Sequence, residues 1–247
     1  MSVFDPLQLT GRVRNHVAEL PRPGPTLHPD AATAFLALRA AAAVDGFDLL
    51  AVSSFRDFAR QRAIWNGKFR GERPLLDRAG RSLDPAALSP LQRVRAILEW
   101  SALPGASRHH WGTDLDVVDA AALAPGAAPQ LLPAEFGPGG PFAPLDRWLA
   151  RHAGRFGFFR PYDCDRGGVQ PEPWHLSYAP LAQPALAALT LPVLAGALAE
   201  AQRRPDTALE GYEVIEPLLP EIHARYVMAV AEPGEALSPE GPESSAL

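Results

Sequence analysis

The sequence predicts an α+β fold, and two observations carry that expectation. Short apolar runs suited to strands, FDLLAVS at 47–53 and LDVVD at 115–119, are mixed with longer stretches suited to helices. Their order also lacks the regular strand–helix–strand rhythm of a parallel sheet. With 247 residues, 47% of them hydrophobic, the chain is long enough to bury a full core.

The elements follow in chain order. Residues 1–29 form an N-terminal segment that closes on a proline-rich entry, PRPGPTLHP at 21–29. Asp30 then offers an N-cap for AATAFLALRAAAA, whose alanine and leucine content favours helix, and Gly46 ends it. A strand is expected over 47–53, with Arg56 just past its end. DFARQRAIWNGKF at 57–69 reads as an amphipathic helix with Phe58, Ile64 and Trp65 turned inward, 71–87 as a loop, and 90–100 as a helix with Pro90 in its first turn. The alanine-, proline- and glycine-rich stretch 120–140 is predicted to be an irregular excursion of about twenty residues, a length often used for lids. A helix at 144–153 and a glycine-bearing turn, DCDRGG, lead into 169–178. Beyond 180 two helical stretches are expected, about 183–203 and 206–230. The last residues, 232–247, contain no aromatic or β-branched side chain and are predicted to be disordered.

Composition excludes several classes of function. A formal charge of −5 gives no basic footprint, so no nucleic-acid partner is expected. Cys164 is the only cysteine, which rules out an internal disulfide and a cysteine-based zinc cluster; flanked by aspartates, its thiol pKa should be raised and the group inert. Lys68 is the only lysine, and the S-x-x-K pair of a serine-type penicillin-binding mechanism is absent. No G-x-S-x-G elbow, H-E-x-x-H helix or phosphate-cradling loop occurs. No membrane span is expected, because the best run, 185–199, falls short of about 18 apolar residues and is broken by Thr190 and Pro192. The N-terminus shows no charged region followed by an apolar run, so a cytoplasmic location is the default reading.

The chemistry concentrates in SRHHWGTDLD at 107–116 and PEPWH at 171–175. A catalytic zinc needs three protein ligands from His, Asp or Glu and one open position. His109 and Asp116 lie seven residues apart with Gly112 between them, so the chain can turn at the glycine and return along a strand carrying the aspartate. His175 supplies a third ligand. Glu172, biased toward extended backbone by Pro173, stands near it as a general base. Taken singly, these residues have plainer readings: surface histidines, or an aspartate capping a turn. His110 competes with His109 as a ligand, and Asp114 shares a strand face with Asp116, although a fourth ligand would close the site. Trp111 and Trp174 read as packing that shields the site; Tyr162 and Asp163 either border the cleft or serve the core.

The pattern S-x-H-x-x-G-x-x-x-D followed by E-P-W-H resembles the LAS metallopeptidases (lysostaphin, D-Ala-D-Ala metallopeptidases, the hedgehog fold), and most closely the VanY-like D-alanyl-D-alanine carboxypeptidases. Ser107, His109, Gly112, Asp116, Glu172, Trp174 and His175 carry the likeness, with SSFRDFARQ at 53–61 similar to the family's upstream arginine segment. It covers roughly residues 30–180. The resemblance implies a central antiparallel sheet with flanking helices around a zinc peptidase core, to which a helical C-terminal extension, 181–231, is added. It further implies Zn2+ held by His109, Asp116 and His175, with Glu172 as general base. Arg56 then orients substrate and stabilises the oxyanion, and Ser107 lies at the substrate. His110 falls on a variable position of the motif. Two positions depart from it: the family usually has a small residue where Asp114 stands and often an arginine where Ser177 stands.

The expected activity is hydrolysis of D-Ala-D-Ala or a related C-terminal bond of a peptidoglycan-derived peptide. L,D-carboxypeptidase or endopeptidase action on peptidoglycan and a non-catalytic zinc-holding binding module are the alternatives. A cell-wall substrate makes the periplasm the alternative location.

Overall fold

In the computed structural model, which describes residues 3–21 and 24–234, the chain begins with helix α1 (Pro6–Leu9) and a small hairpin, β1 (Ala18–Glu19) and β2 (Thr26–Leu27). Helix α2 (Pro29–Val44), strand β3 (Leu49–Ser53) and helix α3 (Phe58–Arg70) follow. Next come a second hairpin, β4 (Leu75–Leu76) and β5 (Ser82–Leu83), and helix α4 (Pro90–Leu98). A 3₁₀ turn (Arg108–Trp111) leads into β6 (Asp114–Asp119), and the long connection after it holds α5 (Pro133–Phe136). Helix α6 (Ala143–His152), strands β7 (Phe158–Phe159) and β8 (His175–Tyr178), and helices α7 (Ala179–Ala188), α8 (Leu191–Ala201) and α9 (Tyr212–Ile222) complete the order.

The main sheet runs β3-β6-β8-β7 and every pair in it is antiparallel, so the expected α+β class with a central antiparallel sheet and C-terminal helices holds. Strand β6 sits centrally and is buried along its whole length. Alternation along β6 and β8 sorts the side chains. Leu115, Val117 and Leu176 enter a core with Phe35 and Leu38 of α2 and Leu145 and Leu149 of α6. Asp114 and Asp116, paired with Ser177 and His175 across the ladder, turn to the opposite face. There a second core, built on Trp65, Ile97, Trp111, Leu194, Leu198 and Ile215, closes over the α3, α4 and α8–α9 side.

The helix of residues 30 onward starts earlier than the sequence suggests. His28, not Asp30, is the N-cap: its Nδ1 accepts from the Asp30 backbone N–H, because Pro29 fits the first helical position. Residues 71–87 are not a plain loop. Asp77 Oδ1 accepts from the N–H groups of Ala79 and Arg81, and this turn, with Gly80 at φ +76°, closes the β4–β5 hairpin. The expected helix 183–203 is two helices bent by 75°: the chain is extended at Thr190, and Pro192 lacks the N–H that a continuous helix would need. The second C-terminal helix occupies only Tyr212–Ile222, followed by a π turn over His223–Val227. No helix among the described residues is long and apolar enough to cross a membrane. The tail predicted to be disordered lies outside the described residues beyond Gly234.

The N-terminal segment is part of the site's foundation. Phe4 and Leu9 belong to the larger core, and Trp111 Nε1 donates to the Leu9 carbonyl at 3.1 Å. Gly112 closes the 3₁₀ turn at φ +69°, and a Cβ there would overlap Val17 and stand 2.9 Å from the His28 nitrogen. Gly112→Ala should therefore cost about 2 kcal/mol or more from left-handed strain plus overlap. Thermal unfolding should show a midpoint lower by roughly 4–8 °C; an unchanged midpoint would contradict this packing.

Candidate metal centre

Three segments meet at β6. His109, on the 3₁₀ turn, donates its Nδ1–H to the Ser54 carbonyl at 2.8 Å, which leaves Nε2 without a proton and 3.5 Å from Asp116 Oδ2. His175 is fixed the opposite way. Its Nε2–H donates to Asp114 Oδ1 at 3.0 Å, and Nδ1 stands 3.2 Å from Asp116 Oδ1 and 3.2 Å from Glu172 Oε2. One atom from each of His109, Asp116 and His175 lies within 4.8 Å of the others, and all three residues are buried.

This donor set fits a divalent metal. Asp116 Oδ1 is buried without a hydrogen-bond partner among the described residues, an arrangement that is costly unless a cation binds the carboxylate. Burial alone would raise the Asp116 pKa, yet the two histidines hold it well below the carboxylate range. Burial alone would lower that of His175, yet Asp114, Asp116 and Glu172 push it well above the imidazole range. Three carboxylates crowd one ring, and a cation relieves them. Two imidazoles and one carboxylate with space left over are the ligand chemistry of catalytic zinc, so the zinc expectation stands.

A further layer holds the ligands. Asp114 accepts from Arg108 Nε at 2.8 Å and from Thr113 Oγ1 at 2.5 Å, and Arg108 Nη2 donates to Ser177 Oγ at 2.6 Å. The Arg108 guanidinium lies over Trp111 at 4.9 Å and Phe159 at 5.7 Å from the ring centroids. A carboxylate behind a ligating histidine fixes its tautomer and raises its basicity. The two positions that depart from the family pattern, Asp114 and Ser177, are thus joined to each other through Arg108.

Arg56 lies just beyond the irregular end of β3. Its backbone N–H donates to the His109 carbonyl at 3.1 Å, and its carbonyl accepts from His110 Nδ1 at 2.6 Å. Its guanidinium donates to Gln61 Oε1 at 2.9 Å and stands 3.7 Å from Asp116 Oδ2. Gln61 in turn donates to the Ala102 carbonyl at 2.8 Å. Glu172 faces this cleft, with burial the main force raising its pKa. Ser107 and Tyr162 line the cleft too, and the Tyr162 ring stands edge-on to His175 at 5.0 Å.

His110 is therefore not part of the donor cluster. Both its ring nitrogens are engaged, Nδ1 with the Arg56 carbonyl and Nε2 with the Gly105 N–H at 3.1 Å, and burial drives its pKa down to about 3. It is a neutral strut between the ligand turn and Arg56. Trp111 and Trp174 are packing residues, as expected; the Trp174 ring packs at a tilt against Phe136, 5.6 Å between centroids, which ties the end of the 120–140 excursion to the back of the PEPWH segment. Asp163 pairs with Arg166, and burial followed by Asp163 raises the Cys164 thiol pKa. A larger cavity, about 470 Å3, lies behind Leu176, but none of the three donors lines it; the small cleft of about 40 Å3 holds His109, His175, Glu172 and Arg56 together. Sequence reasoning missed Arg108 and Gln61. Each sits inside a quoted motif, and its role appears only once the strands pair.

Zinc titration of metal-free protein separates the neighbouring histidines. His109→Ala should lose stoichiometric zinc, whereas His110→Ala should keep one zinc per chain while melting at lower temperature. Asp114→Ala should weaken zinc affinity about 10- to 100-fold, as removal of a supporting carboxylate does. Zinc binding that survives His109→Ala would refute the assignment.

The family model described as VanY, D-alanyl-D-alanine carboxypeptidase, matches residues 24–181. A Haemophilus influenzae relative described as an uncharacterized protein is 48% identical over 101 residues, covering 40% of this chain and 69% of the relative. Among solved structures, VanYB in complex with D-alanine-D-alanine is similar at a TM-score of 0.50 and 21% identity, covering 81% of this chain and 87% of that one, and shares the fold. A vancomycin-resistance D,D-pentapeptidase VanY in complex with Zn(II) aligns at 0.49 and 23%, covering 70% and 83%. A match over residues 24–181, more than half of the sequence, means that this chain belongs to the VanY D-alanyl-D-alanine carboxypeptidase family.

Proposed function

We propose that this chain is a zinc-dependent carboxypeptidase that hydrolyses D-Ala-D-Ala or a related C-terminal bond of peptidoglycan-type peptides. The observation that carries the reading is the placement of the Glu172 carboxylate 3.2 Å from the metal-facing nitrogen of His175, in the same cleft as Arg56. His109, Asp116 and His175 are the residues that would hold zinc. Zinc, when bound, supplies a Lewis acid that polarises the scissile carbonyl and lowers the pKa of water toward about 7.

The protein's own groups account for the rest of the reaction. Glu172, partly buried and with a raised pKa, takes a proton from the attacking water as its oxygen adds to the carbonyl carbon. The same carboxyl group then delivers the proton to the amine as the C–N bond breaks. Arg56 offers an Nε–H without a partner among the described residues, and its backbone is held at both ends, so the guanidinium is oriented before the oxyanion develops. Ser107, buried at the head of the ligand turn, borders the peptide.

A binding module of the same fold that holds zinc without turnover has no use for a partly buried carboxylate beside the metal ligands, so Glu172 favours the enzyme. Glu172→Ala should retain one zinc per chain and lose hydrolysis of Ac-Lys-D-Ala-D-Ala; unchanged turnover would remove the mechanism. Arg56→Ala should lower kcat about 10²- to 10³-fold, the usual effect of removing one oxyanion donor. Mass spectrometry of products from D,D- and L,D-linked muropeptides identifies the bond: release of terminal D-Ala from the D,D peptide is expected, and cleavage of internal bonds alone would favour an endopeptidase.

A further inference from the structure

The larger cavity, about 470 Å3, lies on the other side of the segment that carries Glu172 and His175. Pro171, Pro173 and Leu176 line the cavity, whereas Glu172 and His175 line the metal cleft. Side chains alternate along extended chain, so one stretch of backbone is the wall between the two spaces. Tyr162 borders both. Leu149, Phe158 and Leu176, all buried, line the deep part of the cavity, while Ala150 and Glu232 are exposed and mark its open side. A space of this volume is in the range of small-molecule sites.

Its polar groups limit what can enter. Arg160 Nη2 stands 2.9 Å from Asp146 Oδ1 and donates to the Asp146 carbonyl at 3.3 Å; both side chains are mostly buried and line the cavity. Their charges offset each other. Asp163 is paired with Arg166, and Glu232 at the rim is screened by water. An ionic ligand would thus carry an uncompensated charge into an apolar space, which is costly. Arg160 nevertheless keeps unused donors. Its Nε is buried without a partner among the described residues, and its Nη1 makes no hydrogen bond with them. Pro133, Pro171 and Pro173 in the wall have no N–H to offer, so an acceptor that enters is left to the guanidinium.

We propose that this cavity is a second ligand site, separate from the metal centre, for an uncharged apolar molecule of one or two rings that carries a carbonyl group. The carbonyl accepts from Arg160 while the hydrocarbon body rests on Leu149, Phe158 and Leu176. The occupant lies against the back of the segment that holds Glu172 and His175.

Two measurements on the zinc-loaded, full-length protein test the site, and neither involves turnover. In the first, prodan, a neutral naphthyl ketone whose emission moves to the blue in apolar surroundings, is titrated into the wild type and two variants. One saturable site per chain is expected. Ala150→Trp, at an exposed helical position on the open side, should weaken binding about tenfold or more by obstructing the entrance while keeping one zinc per chain. Arg160→Met should weaken prodan about 5- to 10-fold, the worth of one hydrogen bond, and leave its analogue with CH2 in place of C=O bound as before. Equal losses for the two probes would overturn the carbonyl anchor. The second measurement needs no variant. Diffraction from prodan-soaked crystals should place the rings against Leu149 and Leu176 and the carbonyl on Arg160. Absence of saturable binding, or a probe seated elsewhere, would overturn the site and leave the metal centre and the peptidase reading as they stand.

Discussion

The constraint on which the rest of the structure depends is the burial of charge around Asp116. Asp114, Asp116 and Arg108 are buried, and the partly buried Glu172 and Arg56 close on them, so that three carboxylates meet two guanidiniums. One negative charge remains uncompensated, and it falls beside two imidazole nitrogens that other hydrogen bonds have stripped of their protons or turned inward. A cluster of this kind is unfavourable unless a cation completes it. A proton on His175 is one solution. A divalent metal is the better one, because it satisfies the orphaned Asp116 oxygen as well.

Sheet register delivers this arrangement. The central strand pairs Asp116 with Ser53 on one side and His175 on the other, so two ligands and the strand that leads to Arg56 are aligned by backbone hydrogen bonds alone. The register shift between Ala51 and Ser53 marks where β3 stops following the ladder and the chain turns away toward Arg56. Neutral His110 then ties the Arg56 carbonyl to the turn that carries His109. The turn that carries His109 and the segment that carries Arg56 are thus one mechanical unit, and a change on either side of that hydrogen bond reaches the other.

Much of this was legible in the sequence, for identifiable reasons. His109, Gly112 and Asp116 lie within one turn and one strand, so their spacing almost determines their geometry. Glu172 and His175 are likewise local to each other. What the sequence hid was pairing between distant segments. Asp114 and Ser177 stood out as departures from the family pattern, but only the β6–β8 ladder shows that Arg108 joins them. Lys68 drew notice for being alone; its neighbour Ser101 is 33 positions away and comes near through the packing of α3 against α4. The misplaced helix start at Asp30 and the overlooked hairpin at 75–83 have a different cause: proline and aspartate side chains set local turns that composition alone does not reveal.

The central claim is that His109, Asp116 and His175 share one zinc ion. X-ray absorption at the zinc edge, combined with anomalous diffraction from zinc-loaded crystals, tests it most directly. The account predicts a single peak between those three side chains, with nitrogen ligands at about 2.0–2.1 Å and oxygen ligands at about 2.0–2.2 Å. A peak elsewhere in the molecule, or an all-oxygen coordination shell, would contradict it.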